Sequence, residues 1–436
     1  MEAVTLRGRV ADKDLVSLGN MMLRGSSLLC RLALVFYIAR QLGLEAMALY
    51  GFTIGAAALM TAVSGLGISW QVNRIMAVES GAWAAARARD RVVQRLVILI
   101  PVIACCTMIA VQLAILPMPL AGYVAGIVML ESLIGELSDF LVYRCKSLAG
   151  NTLLFLRSGS WIPAIILCGF LDARWRSIDA VMLGWLVGLI LSIGFVLALA
   201  MASPVARSGL QRAIDWSWIH RSSKTSPIVF VSELGAVGLL YSDRYIIGLL
   251  LGGRAAGAFT FVWSIINAVV PIVQGGVFNQ MMPQLTSQWH RHQWGGWLTS
   301  FSDGMRRTTW VSAALGMVAL AALIVILRVA ELPLSLDTIL FGTLMVVATV
   351  LRMRADVVHH ALYSAGQDSD WIAVNILGLI LGPCMALIGI ASFGFIGAGV
   401  QMVLVAYALY TMRSRLARRT IRRAQIASGQ PGALAI

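Results

Sequence analysis

Arg24 and Arg31 stand seven residues apart inside one long apolar stretch. On a helix that spacing is two turns, so both guanidinium groups share a face. Arg157 and Arg244 lie inside other apolar stretches. A guanidinium keeps its charge, and its planar fork binds phosphate or carboxylate oxygens in pairs. The chemistry this set suits is anion recognition, which makes the four arginines candidate substrate contacts. Glu131, Glu233 and Asp243 are also embedded in apolar sequence. A desolvated carboxylate can carry a coupling proton or sodium ion, so these three are candidates for ion coupling. Glu131 has a second reading as the ion-pair partner of Arg24 or Arg31. Arg352 and Asp356 are four apart and read as a pair within one helix. Glu136 and Asp139 read as partners of Arg144 or Lys146.

Bond-making chemistry has no support. The three lysines, Lys13, Lys146 and Lys224, follow Asp12, Cys145 and Ser223, so no Walker A loop exists. No histidine opens a His-Glu-x-x-His helix, and Gly-x-Ser-x-Gly is absent. The six cysteines have no metal or redox spacing and read as small core residues. The expectation is a protein that is not an enzyme and has no catalytic residue, metal or cofactor.

The elements that carry these charges follow from composition. The 436 residues are 59% hydrophobic and only 12% charged. A soluble fold of this length cannot hide so much apolar surface. Stretches of about 20 apolar residues recur, each long enough to span a bilayer as a helix. A membrane barrel would need alternating segments half as long. The predicted fold is an all-α polytopic membrane protein with twelve spans, near 17–39, 46–69, 93–116, 120–142, 152–171 and 178–200, then 227–251, 255–281, 308–329, 336–358, 371–390 and 393–412. The net charge of +14 sits between spans, which argues against a nucleic-acid partner. Alternate connections hold 23 Lys and Arg residues against 5 on the other side, which places both termini in the cytoplasm.

Leu42 to Tyr50 follows the first span as Leu251 to Phe259 follows the seventh, 209 residues on. The same offset carries several spans onto one another. Residues 1–212 and 213–412 therefore read as two six-helix halves, and 413–436 as a basic cytoplasmic tail. In proteins built this way, substrate sites lie between repeats near mid-membrane.

Ala39-Arg40-Gln41-Leu42-Gly43 with Tyr50-Gly51, and Asp243-Arg244-Tyr245-Ile246-Ile247-Gly248 with Leu251-Gly252, Gly257 and Phe259, resemble the Wzx-type polysaccharide flippases. These belong to the multidrug/oligosaccharidyl-lipid/polysaccharide (MOP) exporter superfamily. The resemblance implies a MATE-like fold of two bundles in the bacterial inner membrane. It implies alternating-access transport of a polyprenyl-pyrophosphate-linked oligosaccharide for exopolysaccharide, capsule or O-antigen synthesis. The expected partners are the lipid-linked glycan, membrane lipids, a polysaccharide polymerase and glycosyltransferases. The alternatives are a MATE-like drug or cation antiporter, which needs an acidic cavity, and a membrane polymerase or ligase, which needs a large far-side loop.

Overall fold

The computed structural model describes residues 2–66, 82–112, 118–143, 147–223, 227–329 and 335–428. All regular structure among them is helical. In packing the chain divides into two units, Met1–Leu42 with Phe52–Phe230, and Gly43–Gly51 with Val231–Ile436.

The first unit begins with α1 (Glu2–Tyr37), a π turn over Ile38–Leu42, and α2 (Leu44–Gly65), whose first residues belong to the second unit. Then come α3 (Ala82–Gln112), α4 (Met118–Tyr143), α5 (Ser147–Ser158), α6 (Ile162–Leu171) and α7 (Ile178–Ala202). The sequence predicts one helix over 152–171, but it is broken between Ser158 and Ile162. Pro163 has no N–H to give to Gly159, so the ladder stops there. Helix α7 starts where Ser177 accepts from the Ala180 N–H at 3.2 Å, with Asp179 in its first turn. Helix α4 is central, packing on α3, α5 and α7. Leu99 and Ile103 of α3 meet Val128 and Leu133 of α4 in a small core.

Two short helices, α8 (Pro204–Leu210) and α9 (Trp216–Ser223), form the connection between the repeats. They are strapped to α3. Arg89 donates to the carbonyls of Leu210 at 2.9 Å and Ala213 at 3.0 Å, and to that of Arg212. These carbonyls leave the end of α8, where a cation is favoured. Arg87 pairs with Asp215 at 3.0 Å and lies 4.8 Å from the Trp218 ring centre. The Ser217 hydroxyl, the Trp218 N–H and Arg87 together hold the Asp215 carboxyl well below the usual carboxylate range.

The second unit contains α10 (Pro227–Leu251) from Val231 onward, α11 (Gly253–Ile266), α12 (Val269–Val273), a π turn over Gln274–Phe278 and α13 (Asn279–His290). It continues with α14 (Trp294–Val329), α15 (Leu336–Ser364) and α16 (Asp368–Ser428). Pro271 breaks α11 from α12 as Pro163 breaks α5 from α6. The core gathers Leu285, Phe301, Met353 and Leu362 around Trp297, whose Nε1 donates to Ser364 Oγ at 3.1 Å.

Eleven helices among the described residues are long and apolar enough to cross a membrane. The two spans predicted at 371–390 and 393–412 fall within α16. Its backbone leaves helical geometry at Gly394, with φ 58° and ψ −136°. There the run doubles back, so that Val374 packs on Leu409 and Gly389 lies against Gly397. Past Met412 the helix continues through the basic stretch. Ala417 and Ile421 are in the core.

The repeat has a local signature. Gly43 and Gly252, 209 apart, both have φ 88°, which favours glycine. Each carbonyl then accepts from the fourth residue on, Met47 and Ala256, at 3.2 Å. The equivalent positions Gly51 and Thr260 touch, and Gly257 lies on the Leu44 carbonyl. A side chain at Gly51 or Gly257 would collide with them.

Candidate functional site

Helix α1 carries Arg24 and Arg31, and both are exposed. Arg24 Nε donates to Asn151 Oδ1 of α5 at 2.9 Å, and Asn151 Nδ2 donates to Asn20 Oδ1 at 2.7 Å. That partner is a neutral amide, so among the described residues Arg24 is oriented without a counter-ion. One turn on, the hydroxyls of Ser27 and Ser158 meet at 2.7 Å.

Glu131 is paired, and its cation is Arg157 rather than Arg24 or Arg31. Arg157 Nε lies 3.4 Å from Glu131 Oε2, while Trp185 Nε1 donates to Oε1 at 2.8 Å. The pair is 20% and 14% exposed, and Arg157 Nε makes no aligned hydrogen bond. Helices α4, α5 and α7 meet here.

Glu136 has other partners than the sequence suggests. Arg91 and Arg95, counted among the loop charges, lie inside α3, and both are buried beside Glu136. Arg91 Nε sits 3.3 Å from Oε1, and Arg95 Nη2 makes a close contact with Oε2. Arg91 also donates to Gln94 Oε1 at 2.7 Å and to the Gly65 carbonyl at 2.8 Å, near the end of α2. This node ties three helices together. The Asp139 side chain, Arg144 and Lys146 lie outside the described residues.

In the second unit Arg244 is completely buried. Its Nη1 donates to the Gly51 carbonyl at 2.9 Å, and its guanidinium carbon lies 4.6 Å from the ring centres of both Tyr241 and Trp263. Two rings and a carbonyl take the place of a counter-ion. Glu233 is half-buried on α10 and also engaged in a polar contact.

Asp243 is buried one residue from Arg244 and lines a cavity of about 190 Å³ within this unit. Arg352, Asp356 and Arg413 also line it. The pairing expected between Arg352 and Asp356 does not form. Arg413 of α16 reaches Asp356 instead, Nη1 to Oδ1 at 3.1 Å. The other arm of its fork donates to Asn375 Oδ1 at 2.9 Å, and Asn375 Nδ2 donates to Ser232 Oγ at 3.1 Å. Arg413 thus holds Asp356 of α15 with one arm of its fork and Asn375 of its own helix α16 with the other.

Of the seven residues singled out by sequence, the structure places Arg157 beside Glu131, and Asp243 and Arg244 are chain neighbours. The sequence reading does not reach Asn151, Asn375 and Gln401. Uncharged amides in apolar spans were the signal, because such groups must find partners inside protein. Arg413 had been counted with the tail.

No family model matches the chain, and a comparison with curated proteins finds no match. Solved structures are similar. An inward-facing multidrug resistance MATE family transporter of the MOP superfamily aligns over 94% of this chain and 99% of its own, with TM-score 0.70 and 12% identity. An outward-facing MATE family transporter aligns over 94% of this chain and 96% of its own, with TM-score 0.61 and 13% identity. A MOP superfamily transporter from Pyrococcus furiosus Vc1, described as having a binding pocket of reversed polarity that suggests a different function, aligns over 94% of this chain and 95% of its own, with TM-score 0.63 and 13% identity. At these identities the likeness is one of fold: the chain has the fold of MATE and related MOP-superfamily transporters.

Proposed function

We propose that the protein is a lipid-linked oligosaccharide flippase of the bacterial inner membrane, with twelve crossings and both termini in the cytoplasm. It moves a polyprenyl-pyrophosphate-linked glycan to the outer leaflet by alternating access and hands it to a polysaccharide polymerase. The observation that carries this reading is Arg24, an exposed cation on an apolar helix whose hydrogen-bond partner among the described residues is an amide. Arg31 shares its face. A cation kept charged and unneutralised in a span is costly unless it serves an anion. In this scheme Arg24 and Arg31 hold the pyrophosphate. Arg157 and Arg244 join only when their present contacts open. Asp243 is the leading candidate for ion coupling, with Glu131 and Glu233 behind it.

The test is translocation of a fluorescent polyprenyl-pyrophosphate glycan in proteoliposomes. Wild type should move it, and Arg24→Ala and Arg31→Ala should each slow it at least about tenfold, roughly one charge-assisted contact. A wild-type protein that leaves the glycan in place overturns the reading. The buried carboxylate Asp243 favours a second reading, a drug or cation antiporter, and ethidium efflux without glycan movement would select it.

A further inference from the structure

The cavity inside the second unit carries a charge that its own packing does not use. Of its two carboxylates, Asp356 is matched by Arg413 at 3.1 Å. Asp243, the second, is held by a hydrogen bond from the Gln401 side chain. Arg352 remains. It is half-buried in the lining and has no hydrogen bond or ion pair among the described residues. A further buried donor of the lining, Arg413 Nε, has no acceptor among the described residues. A bare guanidinium inside an apolar helix is unfavourable until an anion reaches it. Unfilled donors ask for acceptors, so the missing occupant is acceptor-rich and anionic.

The neutral lining narrows its chemistry. Asn267 and Thr349 supply groups that can donate and accept, and Trp263 supplies ring surface. A bare phosphate would use the arginine and leave the ring and most amides idle. A sugar ring fits them all, with hydroxyls on the amides and its apolar face against the indole. The volume, about 190 Å³, leaves room for a sugar ring. We infer that this cavity binds one acidic sugar residue, its carboxylate paired with Arg352. This rests on the flippase reading and names the sugar class within it.

The test uses the full-length protein in nanodiscs and ligand-observed NMR, with glucuronate, glucose and inorganic phosphate as probes. Glucuronate should bind at least about tenfold tighter than glucose, and phosphate no better than glucose. Arg352→Gln should erase the preference for glucuronate while glucose binding persists. Arg352→Lys should restore part of it, because a point charge replaces the fork. Equal binding of the two sugars, no binding of any probe, or a preference that survives Arg352→Gln overturns the assignment. Phosphate binding tighter than glucuronate overturns it too, in favour of a phosphate site. Glycan translocation measured on the same preparation separates the two claims. A protein that moves the lipid-linked glycan without preferring glucuronate keeps the flippase reading and loses the sugar site. One that prefers glucuronate and moves no glycan does the opposite.

Discussion

Two carboxylates on α4, five residues apart, have been given different tasks by their surroundings. Glu136 is shared by two buried arginines, and removing its charge leaves both uncompensated. Glu136→Gln should therefore cost roughly 3–5 kcal/mol of stability, read as a lowered unfolding temperature in detergent. Glu131 is held by one arginine at 3.4 Å in partial contact with solvent. Glu131→Gln should cost only about 1 kcal/mol, and Glu131→Gln with Arg157→Gln should recover most of it. Full stability of Glu131→Gln together with arrested transport would instead make it a coupling site. The charges themselves were plain in the sequence, since each interrupts an apolar run. Their partners were not. Pairing depends on which helix faces meet, and separations such as Arg95 to Glu136 or Asp356 to Arg413 carry no periodic signal.

Helices were legible by apolar length, and their breaks less so. Pro163 and Pro271 read as bends, yet each ends a helix because the acceptor one turn earlier loses its donor. The doubling-back of α16 at Gly394 lies just inside the span predicted over 393–412, so the sequence places the turn a few residues early. The predicted span starts at 93 because the first turns of α3 are polar, which leaves Arg91 outside it and Arg95 just inside. Close helix contacts give the sharpest tests at this scale. A methyl group on Gly257 would meet the Leu44 carbonyl at 1.7 Å, and one on Gly397 the Gly389 carbonyl at 1.9 Å. Backbone cannot yield as a side chain can. Gly257→Ala and Gly397→Ala should each cost about 3 kcal/mol or more, checked by detergent-solubilised yield and unfolding temperature. Gly43→Ala meets no such atom and suffers only its left-handed backbone, about 1 kcal/mol.

Across the whole molecule, the sequence reads as a duplication, and the strap of α8 and α9 is fastened to α3. The Asp215 carboxyl is depressed in the folded state, first by the Ser217 hydroxyl, then by the Trp218 N–H and by Arg87. Its contribution is thus complete above the carboxylate's unfolded value, near 3.9, and is lost as pH falls through the lower folded one. Pepsin should cut the strap readily only below about pH 4 in wild type, and at higher pH as well in Asp215→Asn; equal cleavage of both proteins at every pH would remove the latch. The stretch Gly43–Gly51 is written in the first repeat and built into the second unit, where Arg244 holds the Gly51 carbonyl. Expressed as two polypeptides, 1–213 and 214–436, the protein should therefore reassemble and copurify, because one piece completes the other's fold. Gly51→Leu, which drives a side chain into Thr260, should abolish this complementation. Neither half of the chain, made alone, should therefore fold whole as a free-standing monomer.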